Sequence, residues 1–390
     1  MYEVILKQGR EMPILSGHPW IFSNALQVPS KDLPETALVR VLGHEGAFMG
    51  MGLWNNHSAI RVRMVDSKPL DSLEEAFFAD RFMQLNQIKQ RYLPPRTSGY
   101  RVVNADNDFL PGLIVDRYAN VFVFQIHSAG MDIYRETICD ALQKAFSPVA
   151  IVERSDVGVR KDEGLSDFPV ACHRGQIPAQ VVFEENGLFF QADPMSGQKT
   201  GFFLDQRDVR QQVRQLSQGR RVLNLFGYTG AFSVYAKHGG AQRVTTVDSS
   251  KSALAQVQIN YQLNNLGPSD IVCTDVLSYL GHIKLGDYDL MICDPPAFAK
   301  TQQKTDSALR AYQSLNKRCF DVLQTGGIFV TSSCSGRISQ AMFIDMLRHA
   351  AGNARKDARI LSILSQPIDH THRLAFPEGS YLKTVILEVL

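Results

Sequence analysis

The chain has 390 residues, of which 44% are apolar and 21% are charged, and its formal net charge is +2. This length suits two or three folded domains, and this composition is that of an ordinary globular protein. The near balance of charge excludes a protein that is basic over its whole surface, so any binding of nucleic acid must come from local patches.

Several features predict a cytoplasmic protein that binds no metal. No run of eighteen apolar residues is present, so no membrane span is expected. The segment from Met1 to Pro13 lacks the pattern of a secretion signal. The six cysteines form no CxxC pair, which argues against a zinc knuckle or a disulfide framework. They are Cys139, Cys172, Cys273, Cys293, Cys319 and Cys334.

Residues 1–68 are predicted to form a small β-rich domain. Three short apolar runs, Tyr2–Leu6, Ala37–Leu42 and Ile60–Val65, are separated by turn residues. Composition alone favours solvated charges over RNA contacts for the cations in this segment. These cations are Lys7, Arg10, Arg40, Arg61 and Arg63.

Residues 69–180 are predicted to form a central α+β domain. A long amphipathic helix is expected from Ser72 to Tyr92, with Ser72 and Glu75 in a capping box. A hairpin near residues 113–126 and a helix over Met131–Phe146 follow. No catalytic constellation is visible in this domain, so it is expected to connect the first domain to a catalytic one.

The third domain, residues 181–390, contains a strand followed by a tight turn with two glycines. Val222–Phe226 is a short apolar run typical of a strand buried on both faces. Ala231–His238 has helical composition, and Arg243–Val247 predicts a second buried strand that ends on a carboxylate. Free N–H groups at the start of the helix and this carboxylate suit a nucleotide and its ribose. The residues predicted to line the site are Asn224, Phe226, Gly227, Tyr228, Thr229, Gly230 and Asp248.

The spacing of this turn favours S-adenosylmethionine (SAM) over a dinucleotide. The fingerprint GxGxxG is absent, and the turn is Gly227-x-x-Gly230. A pyrophosphate therefore has weaker support than an adenosine that carries a short charged tail. The alternative is a strand–turn–helix unit without a ligand. Binding is favoured because Asp248 follows the turn at about the separation of 20 residues that a ribose contact needs.

Two further segments are candidate SAM contacts. Asp205-Gln206-Arg207 precedes the first strand of the domain, and its carboxylate suits the SAM ammonium group; a helix cap at Asp205 is an equal alternative. Asp275 follows a strand predicted over Asp270–Thr274 and is placed to accept from the adenine amino group. A helix cap is the alternative there, and both roles are compatible.

A fourth buried strand, Asp289–Cys293, runs into the stiff turn Asp294-Pro295-Pro296-Ala297-Phe298. Prolines fix the backbone and remove donors, so this turn can aim its carboxylate at a flat base. The alternative is a buried aspartate at a strand end with a structural role.

The next strand, Ile328–Ser332, leads to Ser333-Cys334-Ser335-Gly336. Because the carboxyl ends of parallel strands meet at one edge of a sheet, Cys334 is expected at the same edge as Asp294. Cys273 and Cys293 lie within apolar strands and are expected to be buried and inert.

These elements predict a SAM-dependent methyltransferase that uses a cysteine. C5 of a pyrimidine is a poor nucleophile until a thiolate adds to C6, which is covalent catalysis by an activated cysteine. Cys334 is the predicted nucleophile, and Asp294 would hold the N3/N4 edge of cytosine and stabilise charge at N3. The target base must leave any stack to reach such a pocket.

The motifs GYTGAF, VDSS, DPPAF and SSCSG, behind LKQGRE and GHPWIF, resemble the RlmI-type large-subunit ribosomal RNA cytosine-5 methyltransferases over essentially the whole chain. The resemblance implies an N-terminal PUA domain that contacts RNA, a central α+β domain and a Rossmann-like methyltransferase domain. By position it implies Cys334 as nucleophile, Asp294 as the acid on the base, and 23S ribosomal RNA as the substrate. Many other RNA cytosine-5 enzymes carry a second cysteine where this chain has Pro296, so Cys334 would act alone.

Two other functions stay open at this stage. A base N-methyltransferase with a similar proline-rich turn would need no covalent step and would tolerate loss of Cys334. A non-catalytic RNA-binding protein would not bind SAM. The sequence leaves open whether the chain forms a homodimer.

Overall fold

The computed structural model describes residues 1–29, 32–298 and 305–390. Nineteen β-strands and eleven α-helices lie in this part of the chain. The strands are β1 (Tyr2–Ile5), β2 (Trp20–Phe22), β3 (Thr36–Leu42), β4 (Phe48–Asn55), β5 (Ile60–Asp66), β6 (Gly99–Asn104), β7 (Leu113–Tyr118), β8 (Val121–Ile126), β9 (Ala150–Glu153), β10 (Ala171–Gly175), β11 (Val181–Glu185), β12 (Leu188–Ala192), β13 (Arg221–Leu225), β14 (Arg243–Asp248), β15 (Asp270–Cys273), β16 (Leu290–Cys293), β17 (Ile328–Ser333), β18 (Ala358–Leu364) and β19 (Lys383–Val389). The helices are α1 (Met12–Leu15), α2 (Glu75–Gln90), α3 (Ala129–Asp132), α4 (Arg135–Phe146), α5 (Val159–Asp162), α6 (Arg207–Leu216), α7 (Ala231–His238), α8 (Lys251–Leu263), α9 (Val276–Leu280), α10 (Thr305–Val322) and α11 (Gln340–Asn353).

The chain divides into two compact units. The first unit comprises residues 1–183, 192–204 and 368–379, and the second comprises residues 184–191, 205–367 and 380–390. The α/β class expected from the sequence is confirmed by the sheets and helices of both units. The two domain boundaries, near residues 68 and 180, stay a prediction.

The first unit holds two five-stranded sheets, in the orders β1-β3-β4-β5-β2 and β10-β9-β8-β7-β6. In the first sheet β3 alternates buried and half-buried side chains, which is the pattern of a strand with one face on a core. Helix α2 packs on the second sheet, but it begins at Glu75 rather than at Ser72. The Ser72 hydroxyl donates to Glu74 at 2.8 Å, so the expected capping box does not form.

The second unit is built on a seven-stranded sheet in the order β15-β14-β13-β16-β17-β19-β18. The first five strands are parallel, and β19 runs antiparallel to both of its neighbours. Strand β16 is fully buried, as its apolar run predicts. Alternate residues of the central strands pack on opposite faces: Leu223 and Met291 pack with α10 and α11, whereas Val222 packs with α6 and α7.

The topology sets where a ligand can sit. β14 and β16 lie on opposite sides of β13, so the order of strands reverses there, and the crevice at the carboxyl ends is the usual binding place. β15 is the edge strand of this sheet. Cys273 at its end is therefore exposed, and the expectation that it is buried is wrong. Cys293 on β16 is buried, as expected.

Candidate active site

The turn after β13 adopts a strained backbone that brings it close to the sheet edge. Phe226 and Tyr228 have φ values of 55° and 47°, and Gly230 has 76°. Gly230 is the N-cap of α7, and such a left-handed backbone is easiest for glycine. At Gly227 the requirement is space, because a Cβ would lie 2.4 Å from Cγ2 of Thr246. The sequence therefore places the small residues of this turn where the backbone needs them.

Buried polar side chains hold the turn from behind. The Asn224 amide donates to the Ser233 hydroxyl at 2.9 Å, and that hydroxyl lies 2.7 Å from the Thr246 hydroxyl. Asn260 on α8 donates to the backbone oxygen of Thr229 at 2.9 Å. Asn224 was predicted from the sequence, whereas Asn260 was not, because its contact depends on how α8 packs against the turn.

Asp248 ends β14 next to this turn, as predicted. Its carboxylate accepts from the backbone N–H of Tyr228 at 2.9 Å and from that of Ser250 at 2.8 Å. These two bonds fix the carboxylate at the carboxyl edge of the sheet, where it is half-buried. The tip of the second strand thus presents an acceptor beside the turn, which is the arrangement that suits the two hydroxyls of a ribose.

The segment Asp205-Gln206-Arg207 begins α6 and meets two other parts of the second unit. The Asp205 carboxylate is buried and accepts from the Tyr381 hydroxyl at 2.9 Å. Gln206, not Asp205, occupies the N-cap position of α6. The Gln206 amide donates to Asp294 at 2.9 Å. Arg207 is buried and lies 3.4 Å from Asp208. The structure thus brings Gln206 to the proline-rich turn, which spacing did not predict.

Asp275 caps α9: its carboxylate accepts from the backbone N–H of Ser278 at 2.9 Å. This is the structural role that the sequence left open beside the adenine contact. The side chain is exposed at the end of β15, at the same edge of the sheet as Asp248. One carboxylate oxygen forms the cap, so the two roles stay compatible.

Asp294 and Cys334 follow neighbouring strands, β16 and β17, and both are partly exposed. Tyr312 on α10 links their loops: its hydroxyl accepts from Ser333 at 3.2 Å, and its ring packs on Phe298 with centroids 4.7 Å apart. Burial raises the pKa of Tyr312, and negative charge at Cys334 and at Asp294 raises it further. The charges of both predicted catalytic groups therefore act on the pKa of one buried phenol. No sequence pattern indicated this contact, because Tyr312 lies within an ordinary amphipathic helix.

The residues at this edge fit SAM. Among the described residues, buried Oδ1 of Asn224 and buried Oε1 of Gln206 have no hydrogen-bond partner, and buried polar atoms without partners are rare. The turn with its constrained backbone, the Asp248 carboxylate and the start of α7 together offer donors and acceptors of the kind that an adenosine needs. A second carboxylate, Asp205, lies in the same unit for a cationic tail.

In the N-terminal module, several of the cations singled out by sequence are used within the protein. Arg63 is 13% exposed and pairs with Asp106 at 3.3 Å and with Glu163 at 2.8 Å. Lys7 donates to a backbone oxygen, and Arg40 lies near a carboxylate of β1. These contacts leave fewer charges for RNA than the composition alone suggests.

A surface cavity of about 560 Å³ lies in the same module. Its lining is mostly apolar and includes one cation, Arg10, beside the rings of His18, Trp20 and Phe22. Aromatic rings beside a cation are a combination that suits unstacked bases. The cavity is therefore a candidate contact for a single-stranded segment of RNA.

In the part of the chain that the structure describes, no helix is long and apolar enough to cross a membrane. No group of three or more His, Cys, Asp or Glu side chains within residues 1–29, 32–298 and 305–390 is arranged to hold a metal ion.

Comparison with known proteins identifies the family. A model of S-adenosylmethionine-dependent methyltransferases matches residues 173–362, and a model of PUA-like domains matches residues 4–67. The chain is 38% identical to a ribosomal RNA large subunit methyltransferase I from Aeromonas salmonicida over 390 residues, which is 98% of each chain. The identity to the protein of that name from Aeromonas hydrophila is 39% over 391 residues, again 98% of each. The chain belongs to the ribosomal RNA large subunit methyltransferase I family.

Solved structures agree with this assignment at the level of the fold. A structure from Streptococcus mutans, described as a SAM-dependent methyltransferase, superimposes with a TM-score of 0.83 over 100% of both chains at 24% identity. A second, described as a methyltransferase complexed with SAH, gives 0.85 over 100% of both chains at 24% identity. The protein is thus a SAM-dependent methyltransferase with an N-terminal PUA-like domain. These expectations from the sequence are confirmed.

Proposed function

We propose that this enzyme methylates C5 of a cytosine in 23S ribosomal RNA through a covalent bond between Cys334 and C6 of the base. One observation carries the proposal: Cys334 and Asp294 follow adjacent strands at the carboxyl edge of the sheet, and Tyr312 contacts Ser333 beside the first and Phe298 in the turn of the second. The name of the relatives supports ribosomal RNA of the large subunit as the substrate.

The chemistry needs a thiolate and a group on the opposite edge of the base. The Cys334 thiolate adds to C6, and the electron pair of the C5–C6 double bond becomes available at C5. SAM, when bound, would supply the methyl group that C5 takes and would leave as S-adenosylhomocysteine. Loss of the C5 proton to a base and departure of the thiolate then restore the double bond and the free cysteine.

Asp294 is the group proposed to hold the N3/N4 edge of the cytosine. Its carboxylate is oriented by the hydrogen bond from Gln206, and the two prolines that follow it restrict the backbone. We assign SAM binding to the residues named from the sequence. They are Asn224, Phe226, Gly227, Tyr228, Thr229, Gly230, Asp248, Asp275, Asp205, Gln206 and Arg207.

The PUA-like domain is proposed to bind the RNA outside the catalytic pocket. Its cavity combines Arg10 with the rings of His18, Trp20 and Phe22, which supports contacts to unstacked bases. An enzyme with this substrate would act in the cytoplasm. A homodimer stays a prediction.

The test is methyl transfer from labelled SAM to 23S ribosomal RNA that lacks its natural modifications, followed by mapping of the product base. Wild type should form 5-methylcytosine. Cys334→Ala should reduce the rate by at least about 10³-fold, because the nucleophile is lost. Cys172→Ala removes an exposed cysteine and serves as the matched control with unchanged activity.

A trapping experiment separates the mechanisms. RNA that carries 5-fluorocytosine has no C5 proton to lose, so wild type should form an adduct that survives denaturation and Cys334→Ala should not. Full activity of Cys334→Ala, or an N-methylated product, would overturn the covalent mechanism and leave a direct transfer centred on Asp294. Failure of wild type to bind SAM would instead support a non-catalytic protein.

A further inference from the structure

A lysine lies buried next to the loop that carries Cys334. Lys383 is the first residue of β19, and its direct partner in the antiparallel pairing with β17 is Ser333. Directly paired residues of antiparallel strands project from the same face of a sheet. Lys383 is 6% exposed, whereas lysine is almost never buried without a specific partner.

The Lys383 ammonium group is held by backbone oxygens. Nζ donates to the oxygen of Ser335 and, at 2.7 Å, to the oxygen of Tyr381. The first of these bonds ties the lysine to the residue that directly follows Cys334. An ammonium group carries three N–H donors, so these two bonds leave one donor for a further partner.

A nearby negative charge would stabilise the buried ammonium group of Lys383. Both hydrogen bonds described for Nζ of Lys383 go to backbone oxygens, which carry no net charge. Burying an ammonium group without a counter-charge is costly. Burial accordingly lowers the pKa of Lys383 to about 8, and negative charge at Cys334 opposes this effect. A thiolate at Cys334 is thus an anion whose charge acts on this lysine.

Other titratable groups described near the Cys334 loop include Tyr381, Tyr312 and Asp294. Tyr381 precedes β19, its Cβ lies 4.0 Å from a Cβ placed at Gly336, and its hydroxyl donates to Asp205. Tyr312 projects from α10, and its hydroxyl accepts from Ser333. Asp294 follows β16, and its charge also acts on Tyr312. The Tyr312 phenol, whose pKa is raised, is neutral at neutral pH, whereas an ionised Asp294 carboxylate disfavours a thiolate. The positive charge of Lys383 can offset that carboxylate.

We propose that Lys383 is a positioning residue for Cys334: its ammonium group stabilises the thiolate and, through the Ser335 carbonyl, fixes the loop that presents the sulfur. The proposal rests on the role of Cys334 as nucleophile. A nucleophilic cysteine beside a lysine is a thiolate at lower pH than a free cysteine, so the enzyme would keep its nucleophile charged at neutral pH.

The experiment measures the reactivity of the thiol directly, apart from methyl transfer. The full-length protein is treated with iodoacetamide between pH 5 and pH 10, and alkylation of Cys334 is followed by peptide mass spectrometry. An unstructured cysteine peptide serves as the reference, and its alkylation is half-maximal at about pH 8.5. Wild-type Cys334 should titrate below that midpoint.

Two variants separate charge from packing. Lys383→Met keeps the length and removes the charge and the donors, so the midpoint for Cys334 should rise by about one unit or more, and alkylation at pH 7 should slow by roughly tenfold. Lys383→Arg keeps the positive charge and should retain most of the shift. Lys284→Met, on an exposed lysine between α9 and β16, is the matched control and should leave the midpoint unchanged.

Methyl transfer by the same variants gives the second readout. Lys383→Met should lose rate at pH 7 and recover much of it at pH 9, where the thiol ionises without help. An unchanged alkylation midpoint in Lys383→Met, or a loss of methyl transfer equal at all pH values, would overturn the proposal and favour a lysine that takes the C5 proton.

The outcome is decisive even if a variant does not fold. The wild-type profile alone overturns the proposal if Cys334 titrates at or above the peptide. Failure of the proposed function would give a different pattern. Cys334→Ala would then keep its methyl-transfer activity. The alkylation midpoint of Cys334 in wild type would still lie below that of the peptide, and Lys383→Met would still raise it.

Discussion

Gln206 and Asp294 meet through one hydrogen bond of 2.9 Å, in which the amide donates to the carboxylate. Gln206 is 2% exposed, so water cannot easily replace it. A partly buried carboxylate is sensitive to the number of donors around it. The orientation and ionisation of Asp294, and with them its contact to a cytosine edge, therefore depend on the amide of Gln206.

Gln206→Glu tests this dependence with almost no change in shape. Above about pH 7 two adjacent carboxylates repel each other, so methyl transfer should fall by roughly tenfold or more. Toward about pH 5.5 the two carboxylates share one proton, the new carboxyl group donates as the amide does, and the rate should recover toward that of wild type. Gln206→Leu lacks any donor and should show no recovery. An equal loss for both variants at every pH would exclude an electrostatic role for Gln206.

At the scale of single residues, the sequence predicted Cys334 and Asp294 because each follows a predicted buried strand of the parallel sheet. Tyr312 and Lys383 were not predictable in the same way. Their contacts with the Cys334 loop depend on the packing of α10 and on the antiparallel register of β19, which begins 50 positions further along the chain (383 against 333). No local pattern records such a contact.

The turn from Phe226 to Gly230 is the element on which the proposed cofactor site depends. Gly227 packs against Thr246 of β14, and its position also fixes the backbone N–H of Tyr228 that donates to Asp248. Because protein interiors are close-packed, even a small steric overlap between two residues displaces the atoms around them. The turn and the Asp248 carboxylate should therefore respond together to a change at Gly227.

Gly227→Ala should weaken SAM binding by at least about tenfold, because its Cβ would lie 2.4 Å from Cγ2 of Thr246 and overpacking of a core typically costs about 1–3 kcal/mol through shifts of the backbone. The double variant Gly227→Ala/Thr246→Ser removes that methyl group and keeps the hydroxyl that bonds Ser233. It should regain most of the affinity. Gly267→Ala, where no atom lies within 4 Å of the new Cβ, is the control. Calorimetric titration with SAM measures all four proteins, and a double variant no better than the single one would exclude the clash as the cause.

At the scale of elements, the sequence predicted strands and helices best where apolar runs are buried on both sides, as in β13 and β16. It failed where tertiary contacts decide. The helix expected from Ser72 begins at Glu75 because Ser72 bonds to the Glu74 side chain instead of to the backbone. Cys273 is exposed because β15 proved to be the edge of the sheet, and an apolar run does not show which strand lies at the edge.

At the scale of the whole molecule, a different measurement reports on each of the two compact units. Both tryptophans of the chain, Trp20 and Trp54, belong to the first unit, so tryptophan fluorescence reports its unfolding. The proposed SAM site belongs to the second unit, so SAM affinity reports on that one. The class and order of the domains followed from motifs, but the way that residues 368–379 return to the first unit had no signature in the sequence.

We expect His127 to make the first unit sensitive to acid. Its ring lies 3.2 Å from the Gln125 amide oxygen, and burial lowers the pKa of His127 to about 4, with the charge of Arg101 acting in the same direction. A histidine in the unfolded chain has a pKa of about 6.5. Between these two values the unfolded chain binds more protons than the folded one, so the free energy of unfolding falls as pH falls.

The difference between the folded and unfolded pKa of His127 sets how much unfolding free energy is lost on acidification. Each unit of pKa corresponds to about 1.4 kcal/mol, so acidification from pH 7 to pH 5 should cost the first unit about 2 kcal/mol through His127. Urea unfolding followed by tryptophan fluorescence should show this loss in wild type. His127→Asn carries no titrating ring, so it should be less stable at pH 7 but lose about 1–2 kcal/mol less on acidification. His349→Asn, at a side chain 54% exposed in the second unit, should behave as wild type. An equal loss in all three proteins would show that other groups carry the acid sensitivity.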